Sequence, residues 1–461
     1  MAALELGTER IRKLLVQYAV PAIIAMTASS LYNMVDSIFI GHGVGPLAIS
    51  GLALTFPLMN LAAAFGSLVG VGAATLVSMR LGQRDYETAQ CVLGNVVMLN
   101  VIIGIVFGAV ALIFLDPILY FFGASDATIG YAREYMTIIL LGNVVTHLYL
   151  GLNSILRAAG HPRKSMYATI NTVVINAVLD PIFIFWFDWG IRGAAIATVL
   201  AQIISLMWQF RLLSNHEELL HFHRGIYRLR RKIVRDIMAI GMSPFLMNLA
   251  ACFIVILINK GLKEYGGDLM IGAYGIVNRL GFFFVMIVMG LNQGMQPIAG
   301  YNYGARQYDR VMRVLKLTIV GATCITTTGF LLGELFPRVA VGLFTNDEEL
   351  IRLSIEGMRI VFICYPIIGF QMVATNFFMS IGMAGKAIFL SLSRQLLFLM
   401  PGLIFLPHFF AEHTSWDGSW GVWCSMPLSD LLASAVAFFM LTYQLRKFRA
   451  SHPEVSAEKS R

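Results

Sequence analysis

The chain has 461 residues, of which 57% are hydrophobic and 13% charged, and its formal net charge is +8. Soluble globular domains carry about 25% charged residues, so this composition, with a mean hydropathy of +0.73, excludes an ordinary water-soluble fold. Five cysteines, Cys91, Cys252, Cys324, Cys364 and Cys424, stand in or beside apolar runs, which argues for packing roles over a disulfide or metal framework.

The opening, MAALELGTERIRKLL, is amphipathic and charged, without the short apolar core or small-residue cleavage site of a signal peptide, so the first span is expected to be retained. Apolar stretches long enough to cross a bilayer lie at about 14–41, 48–78, 89–115, 130–157, 165–187, 192–213, 236–262, 270–300, 312–336, 350–382, 386–408 and 420–445. The expected fold is an all-α polytopic membrane protein of twelve transmembrane helices.

Arg133, Arg192, Lys260, Lys263, Arg338 and Arg352 fall in connections on one side, and Arg279, Arg359 and Arg394 fall within spans. The rest of the 34 Lys and Arg lie on the side of the termini, so the positive-inside rule predicts both termini in the cytoplasm and a multi-pass protein of the inner (plasma) membrane. The +8 charge therefore reads as membrane orientation, not nucleic-acid binding.

In the first span, Pro21 precedes Asp36. The cluster Gly66, Gly70 and Gly72 sits within the second span and lacks the Lys-Ser/Thr of a phosphate loop, so close helix packing explains it better. The fifth span, MYATINTVVINAVLDPIFIFWF, places Asp180 in mid-membrane. An ionisable residue there costs roughly 2.5 to 3.5 kcal/mol on insertion scales, and such residues usually face the protein interior on an ion or substrate path. Thr172, Asn176 and Asp180 recur every fourth residue and share one helical face. Pro181 frees a carbonyl one turn back. The bland alternative is that Asp180 caps a broken helix and Asn176 satisfies a neighbour.

At 1.5 Å per residue, Asp180, Asp36 and Thr198 lie about 10, 8 and 9 Å from the outer ends of their spans, and Tyr135 enters the fourth span at a similar depth. Two carboxylates with an amide and a hydroxyl suit a hard monovalent cation or a proton shared between acids.

The connection 214–235 has six basic residues from Arg224 to Arg235 and reads as a linker lying against anionic lipid. Its His216 and His221 are five apart, not four, so a helical metal pair is not expected.

An internal repeat organises the rest. Gly82-Gln83-Arg84-Asp85-Tyr86 recurs as Gly304-Ala305-Arg306-Gln307-Tyr308, and Gly160 and Lys164 recur as Gly382 and Lys386. Phe122 with Phe344, Gly45 with Gly267 and Leu58 with Leu280 keep the same spacing. A six-span unit used twice enters from the same side each time, which predicts two parallel six-helix bundles related by a pseudo-twofold along the membrane normal, with a cavity between them. The expected divisions are 1–213, a first lobe with the cation site; 214–235, the basic linker; 236–446, the second lobe; and 447–461, a cytoplasmic tail.

The halves differ where chemistry would sit. Asn259 stands where Asp36 would recur, and Asp180 maps near Gly402. The second half has Arg394 and Asp430 at matching depth, expected to form a structural ion pair. Gln293 and Gln296, beside Pro297, are candidates to face the cavity or to bond between helices. Methionine and phenylalanine, 24 and 32 residues, supply an adaptable apolar lining where they meet a cavity.

The runs LYNMVDSIFIG, LGQRDYETA with its echo YGARQYDRV, ILRAAGHPRKSMYATINTVVINAVLDPIFIF, RGAAIATVLAQ and NQGMQPIAGYNYGA together resemble the multidrug and toxic compound extrusion family, MATE, over nearly the whole chain. The resemblance implies a secondary antiporter that exports amphipathic, mostly cationic organic compounds in exchange for H⁺ or Na⁺ by alternating access. It implies a first-lobe cation site at Asp36, Asn176, Asp180 and Thr198, able to hold Na⁺, with the Ala194 carbonyl and Tyr135 beside them, and a bend at Pro21. Acids found in spans 7 and 10 of one branch are missing here, Cys252 being an example in span 7, so the chain resembles the branch with first-lobe coupling acids.

The expected partners are drug-like molecules and membrane lipids, with no nucleic acid, no ATP and no cofactor besides the coupling ion, and the chain is expected to act as a monomer. Two rival readings are a lipid-linked sugar flippase, which would want more basic residues in the cavity, and an intramembrane diaspartyl protease built on Asp36 and Asp180.

Overall fold

The computed structural model describes residues 5–44, 46–122, 124–344, 347–414 and 417–450; Gly45 and most of the expected tail, 451–461, lie outside the described residues. Among the described residues every regular element is helical. Ten helices are long and apolar enough to cross a membrane, or up to twelve if each of two bent pairs is one span. The cause is the one read from composition: apolar runs of this length satisfy their backbone groups only within a helix when no water is available.

Helix α1 is Ile11–Gly43, α2 is Pro46–Gly82 and α3 is Tyr86–Ile113. Span α4 is the bent pair Ile129–Leu141 and Asn143–Ala158, at 56°. Helix α5 runs Pro162–Pro181 and continues as a π-helical turn, Ile182–Trp186; α6 is Gly190–Leu213.

An irregular segment leads to α7, Arg231–Leu262, and α8, Leu269–Gly304, which are parted at Gly267 by a φ of +69°. Only glycine adopts that angle without strain, so the chain can turn there between two helices. Then come α9, Tyr308–Leu335; α10, the pair Glu348–Phe362 and Tyr365–Ser380, bent by 53°; α11, Ala384–His413, with a π-helical stretch at Ser393–Leu399; and α12, Gly418–Ala450.

The repeat is visible in backbone detail. Arg84 and Arg306 both have φ of +58°, and Gly160 and Gly382 both have positive φ. The two bent spans, α4 and α10, occupy matching places. Their local causes differ. At Gly142 a Cβ would come within 2.7 Å of Val199 on α6, so a side chain is excluded at that bend. In α10 the second residue of the second segment is Pro366, which cannot donate to the carbonyl a turn back.

The chain divides into two compact units, one of Met1–Glu9, Val20–Asn248 and Gly300–Ala305, the other of Arg10–Ala19, Leu249–Ala299 and Arg306–Arg461. In the first, a core of Ile40, Leu58, Leu119, Tyr135 and Met136 joins the C-terminal part of α1 to the first segment of α4. In the second, Leu262, Phe362, Tyr365, Val422 and Trp423 do the same for α7, α10 and α12. Within the first unit α2 packs backbone to backbone on its neighbours: a Cβ at Gly72 would lie 2.1 Å from the Ile237 carbonyl oxygen, and one at Gly70 3.3 Å from Gly151 Cα. The glycine cluster is thus a packing device. Many large apolar side chains remain outside, among them Phe121, Leu335 and Phe439, as a lipid-facing surface requires.

Candidate functional site

Asp36 and Asp180 come from helices far apart in sequence, and the fold brings their carboxyl groups close enough to act on one another. Asp36 is 6% exposed and Asp180 0%. No Lys or Arg is among the groups acting electrostatically on either acid. Each also has one buried oxygen, Oδ1, with no hydrogen-bond partner among the described residues. Buried polar atoms are normally paired, so two orphaned acceptors side by side mark a place for a proton, an ion or water.

The surrounding groups complete a shell of oxygen. Asn176, one turn before Asp180 on α5, directs its amide Nδ2 to Asp180 Oδ2 at 2.8 Å and to the Tyr32 hydroxyl at 3.1 Å, while its Oδ1 accepts from the Thr198 backbone N–H at 2.9 Å. That orientation is assigned from the hydrogen-bond network. Thr198 Oγ1 lies 3.0 Å from the Ala194 carbonyl, to which it donates, and 3.0 Å from the Tyr32 hydroxyl. Tyr135, buried on α4, reaches the same threonine. Pro181 cannot donate to the carbonyl of Ala177, and the π-helical turn follows at once.

The structure therefore gathers Asp36, Asn176, Asp180, Thr198, the Ala194 carbonyl and Tyr135 into one cluster of the first unit. Sequence reasoning missed Tyr32. Its signal was present: it stands four residues before Asp36 and so shares that acid's helical face. Pro21 lies inside α1, about three turns before Tyr32.

A partly open cavity of about 190 Å³ lies beside this cluster in the same unit. Its walls include Tyr32, Asn176 and Thr198, and further along Tyr149, Thr169, Thr172 and Gln202. Hydroxyl and amide groups punctuate its otherwise apolar walls, with Thr172 donating to Ser205 Oγ at 2.7 Å and Thr146 to Gln202 Oε1 at 2.5 Å.

The remaining candidates lie in the second unit. Arg394 Nε donates to Asp430 Oδ1 at 2.5 Å, the Arg side chain one-third exposed and the Asp 3%. Gln296 is buried and Gln293 half-buried on α8. In the linker, His216 and His221 are in ring contact at 4.9 Å, and among the described residues no group of three or more His, Cys, Asp or Glu is placed to hold a metal.

Comparison with known proteins agrees with this architecture. The MatE family model matches residues 21–182 and 241–404. The chain is similar to the multidrug export protein MepA of Staphylococcus aureus (strain MSSA476), 26% identical over 434 residues, 94% of each chain. It is 27% identical, at the same coverage, to MepA of Staphylococcus haemolyticus (strain JCSC1435).

Among solved structures it is similar to the MATE multidrug transporter DinF-BH, 35% identical with a TM-score of 0.86, covering 95% of this chain and 96% of that one. An outward-facing multidrug resistance MATE family transporter of the MOP superfamily is 24% identical, covers 97% and 99%, and superposes with a TM-score of 0.90, which speaks to the fold. The protease alternative does not survive this kinship, since these relatives are secondary transporters and not enzymes. The chain belongs to the MATE family of membrane transporters.

Proposed function

We propose that this transporter exports drug-like, mostly cationic organic compounds across the plasma membrane in exchange for H⁺ or Na⁺, and that Asp36 and Asp180 bind the coupling ion. The observation that carries the reading is the approach of two buried carboxyl groups to one another with no basic residue beside them. Two adjacent buried carboxylates cannot both stay charged without a counter-ion, so the pair must hold a proton or a cation or give one up at a cost. That cost is what couples ion occupancy to the shape of α1 and α5. The names of the MepA relatives, as multidrug export proteins, support the substrate class.

The Asn176 amide gives the site one arrangement for each ion. With Nδ2 toward Asp180 it donates to the carboxyl. Turned over, it offers Oδ1 beside the two carboxylates, Thr198 Oγ1 and the Ala194 carbonyl, an all-oxygen set suited to a hard monovalent cation. A transport cycle also needs the drug and the ion to favour different states of the protein, because a ligand that binds both states equally shifts nothing.

The deciding experiment is transport of a fluorescent organic cation by purified protein in proteoliposomes, with ΔpH and ΔNa⁺ imposed separately. Efflux that follows at least one inwardly directed ion gradient is the expected result. Efflux indifferent to both gradients overturns the proposal.

A further inference from the structure

We propose that the second lobe binds one anionic phospholipid at the C-terminal end of α12, with the phosphate held between Lys386 and Lys447 and an acyl chain lying along the helix. The two copies of the repeat part company there. In the first, α6 stops at Leu213 and the chain that follows turns back, so that Glu218 meets Lys164 and His161 at 2.8 Å each. In the second, α12 continues as a helix to Ala450, and among the described residues no carboxylate stands beside Lys386, the lysine that recurs from Lys164. The first copy supplies its own anion, and the second leaves that place to another molecule.

Neutral groups hold Lys386 in place. Its Nζ donates to Gln444 Oε1, a buried amide on α12, and lies 5.5 Å from the centroid of the Phe378 ring and 5.9 Å from that of Tyr443. An amide oxygen and two ring faces orient an ammonium without cancelling its charge. Lys447, exposed one turn beyond Tyr443, is the charged group that acts on it. Two ammonium groups with no acid between them repel, and Lys386 has three donors of which the amide takes one. A phosphate, with its negative charge and several acceptor oxygens, answers both needs.

The source of the phosphate follows from α12. Phe439, Tyr443 and Lys447 are exposed and recur every fourth residue, so they share one face of the helix over a rise of about 12 Å. Along that face an apolar ring, an aromatic ring with a polar tip and an ammonium follow one another toward the end of the span. A phospholipid presents the matching order of acyl chain, glycerol and phosphate, and a tyrosine at such a level marks the headgroup region. Arg446, also exposed, adds to a local field that favours anionic lipid. A free phosphate ion would engage only the last step of this series.

Native mass spectrometry of the full-length protein, titrated with phosphatidylglycerol in a neutral detergent, reads the Kd of the first lipid bound. Lys386→Gln with Lys447→Gln should weaken it about five-fold for each charge removed. The same loss of charge at the exposed start of α7, Arg231→Gln with Lys232→Gln, should leave it near the wild-type value. Lys386→Arg keeps the charge and should bind as the wild type does, which separates loss of the site from a disturbed fold.

Phosphatidylcholine of the same chain length should bind the wild type no better than phosphatidylglycerol binds the double variant at Lys386 and Lys447. Inorganic phosphate in excess, at ionic strength matched with chloride, should leave the lipid bound. Equal weakening in both double variants would mean diffuse attraction to a basic surface and would overturn the site, as would equal binding of the two lipids. Displacement by inorganic phosphate would make it an ion site and overturn the lipid. Nothing in this measurement requires transport, so its outcome is distinct from failure of Asp36 and Asp180 to couple transport.

Discussion

The two lobes place buried charge in opposite ways on one repeated framework. The first buries two acids against each other and leaves an oxygen of each without a partner among the described residues. The second sets Arg394 against Asp430, so its buried carboxylate is neutralised by the chain itself. A buried ion pair is complete as built, and removing one partner of it would harm folding. A buried acid pair is incomplete as built, which makes it able to respond to an ion. On the function proposed above, the same architecture yields a part that holds and a part that exchanges, and the difference is one of sign.

The strongest way to break this contrast is to neutralise the acids. Asp36→Asn and Asp180→Asn are expected to lower ion-driven efflux in everted vesicles by about 100-fold, the upper range of a coupling free energy, while leaving the protein folded and able to bind drug. Each substitution removes a charge repulsion that folding had to overcome, so thermal stability should stay equal or rise. If both variants keep wild-type gradient-driven efflux, the first lobe's acids are structural too and the contrast disappears.

The opposite behaviour is expected of the second lobe. Arg394→Leu leaves Asp430 charged and 3% exposed, which should cost about 3 kcal/mol or more, seen as a fall in Tm of the purified protein. Asp430→Leu should cost less, because the arginine it abandons is one-third exposed. The double variant should recover most of the loss, since replacing a buried pair by apolar residues is often neutral. A double variant no more stable than Arg394→Leu would show that the pair does more than satisfy itself, a substrate contact being the obvious alternative.

A subtler change sharpens the account of the first lobe. Tyr32→Phe removes a hydroxyl that lies 3.0 Å from Thr198 Oγ1 and 3.1 Å from the Asn176 amide. Losing one such hydrogen bond is worth about 1 kcal/mol, or roughly five-fold in half-saturating ion concentration. No change in that midpoint would place Tyr32 outside the site.

Much of this was legible in sequence, and what was missed has physical reasons. Apolar runs and the recurring loops announced the helices and the repeat, and the shared φ of +58° at Arg84 and Arg306 is the repeat's backbone signature. Depth counting along spans was enough to put Asp36, Asp180, Thr198 and Tyr135 on one level. The bend at Gly142 was invisible because its cause, the approach of Val199, is tertiary. Tyr32 hid among the aromatics that any membrane helix carries. The Asn176 orientation and the cavity beside it depend on which side chains meet across four helices, and periodicity within a single helix carries no record of that.

The smallest effect belongs to a third charge cluster, at the water-facing linker end, where the same pairing chemistry is cheap. Glu218 meets His161 and Lys164 at 2.8 Å each, with its side chain 23% exposed. Burial pushes its carboxyl up, but Lys164 and His161 outweigh that and hold it below its ordinary value. His161 is itself pushed down, by burial first, with Lys164 adding to it and Glu218 opposing.

The signs agree: a depressed carboxylate and a depressed imidazole each contribute at neutral pH and lose that contribution as pH falls. Exposed pairs are worth about 1 kcal/mol at most, so Glu218→Gln should raise trypsin cleavage at Arg224 and Arg228 only a few-fold near neutral pH. Hydrogen exchange over 214–230, corrected for intrinsic rates, should differ between wild type and Glu218→Gln at neutral pH and converge below about pH 4, where the carboxylate is lost. No difference at any pH would leave the linker held by its other contacts, such as the bond from Gln90 to the Leu219 carbonyl at 3.1 Å.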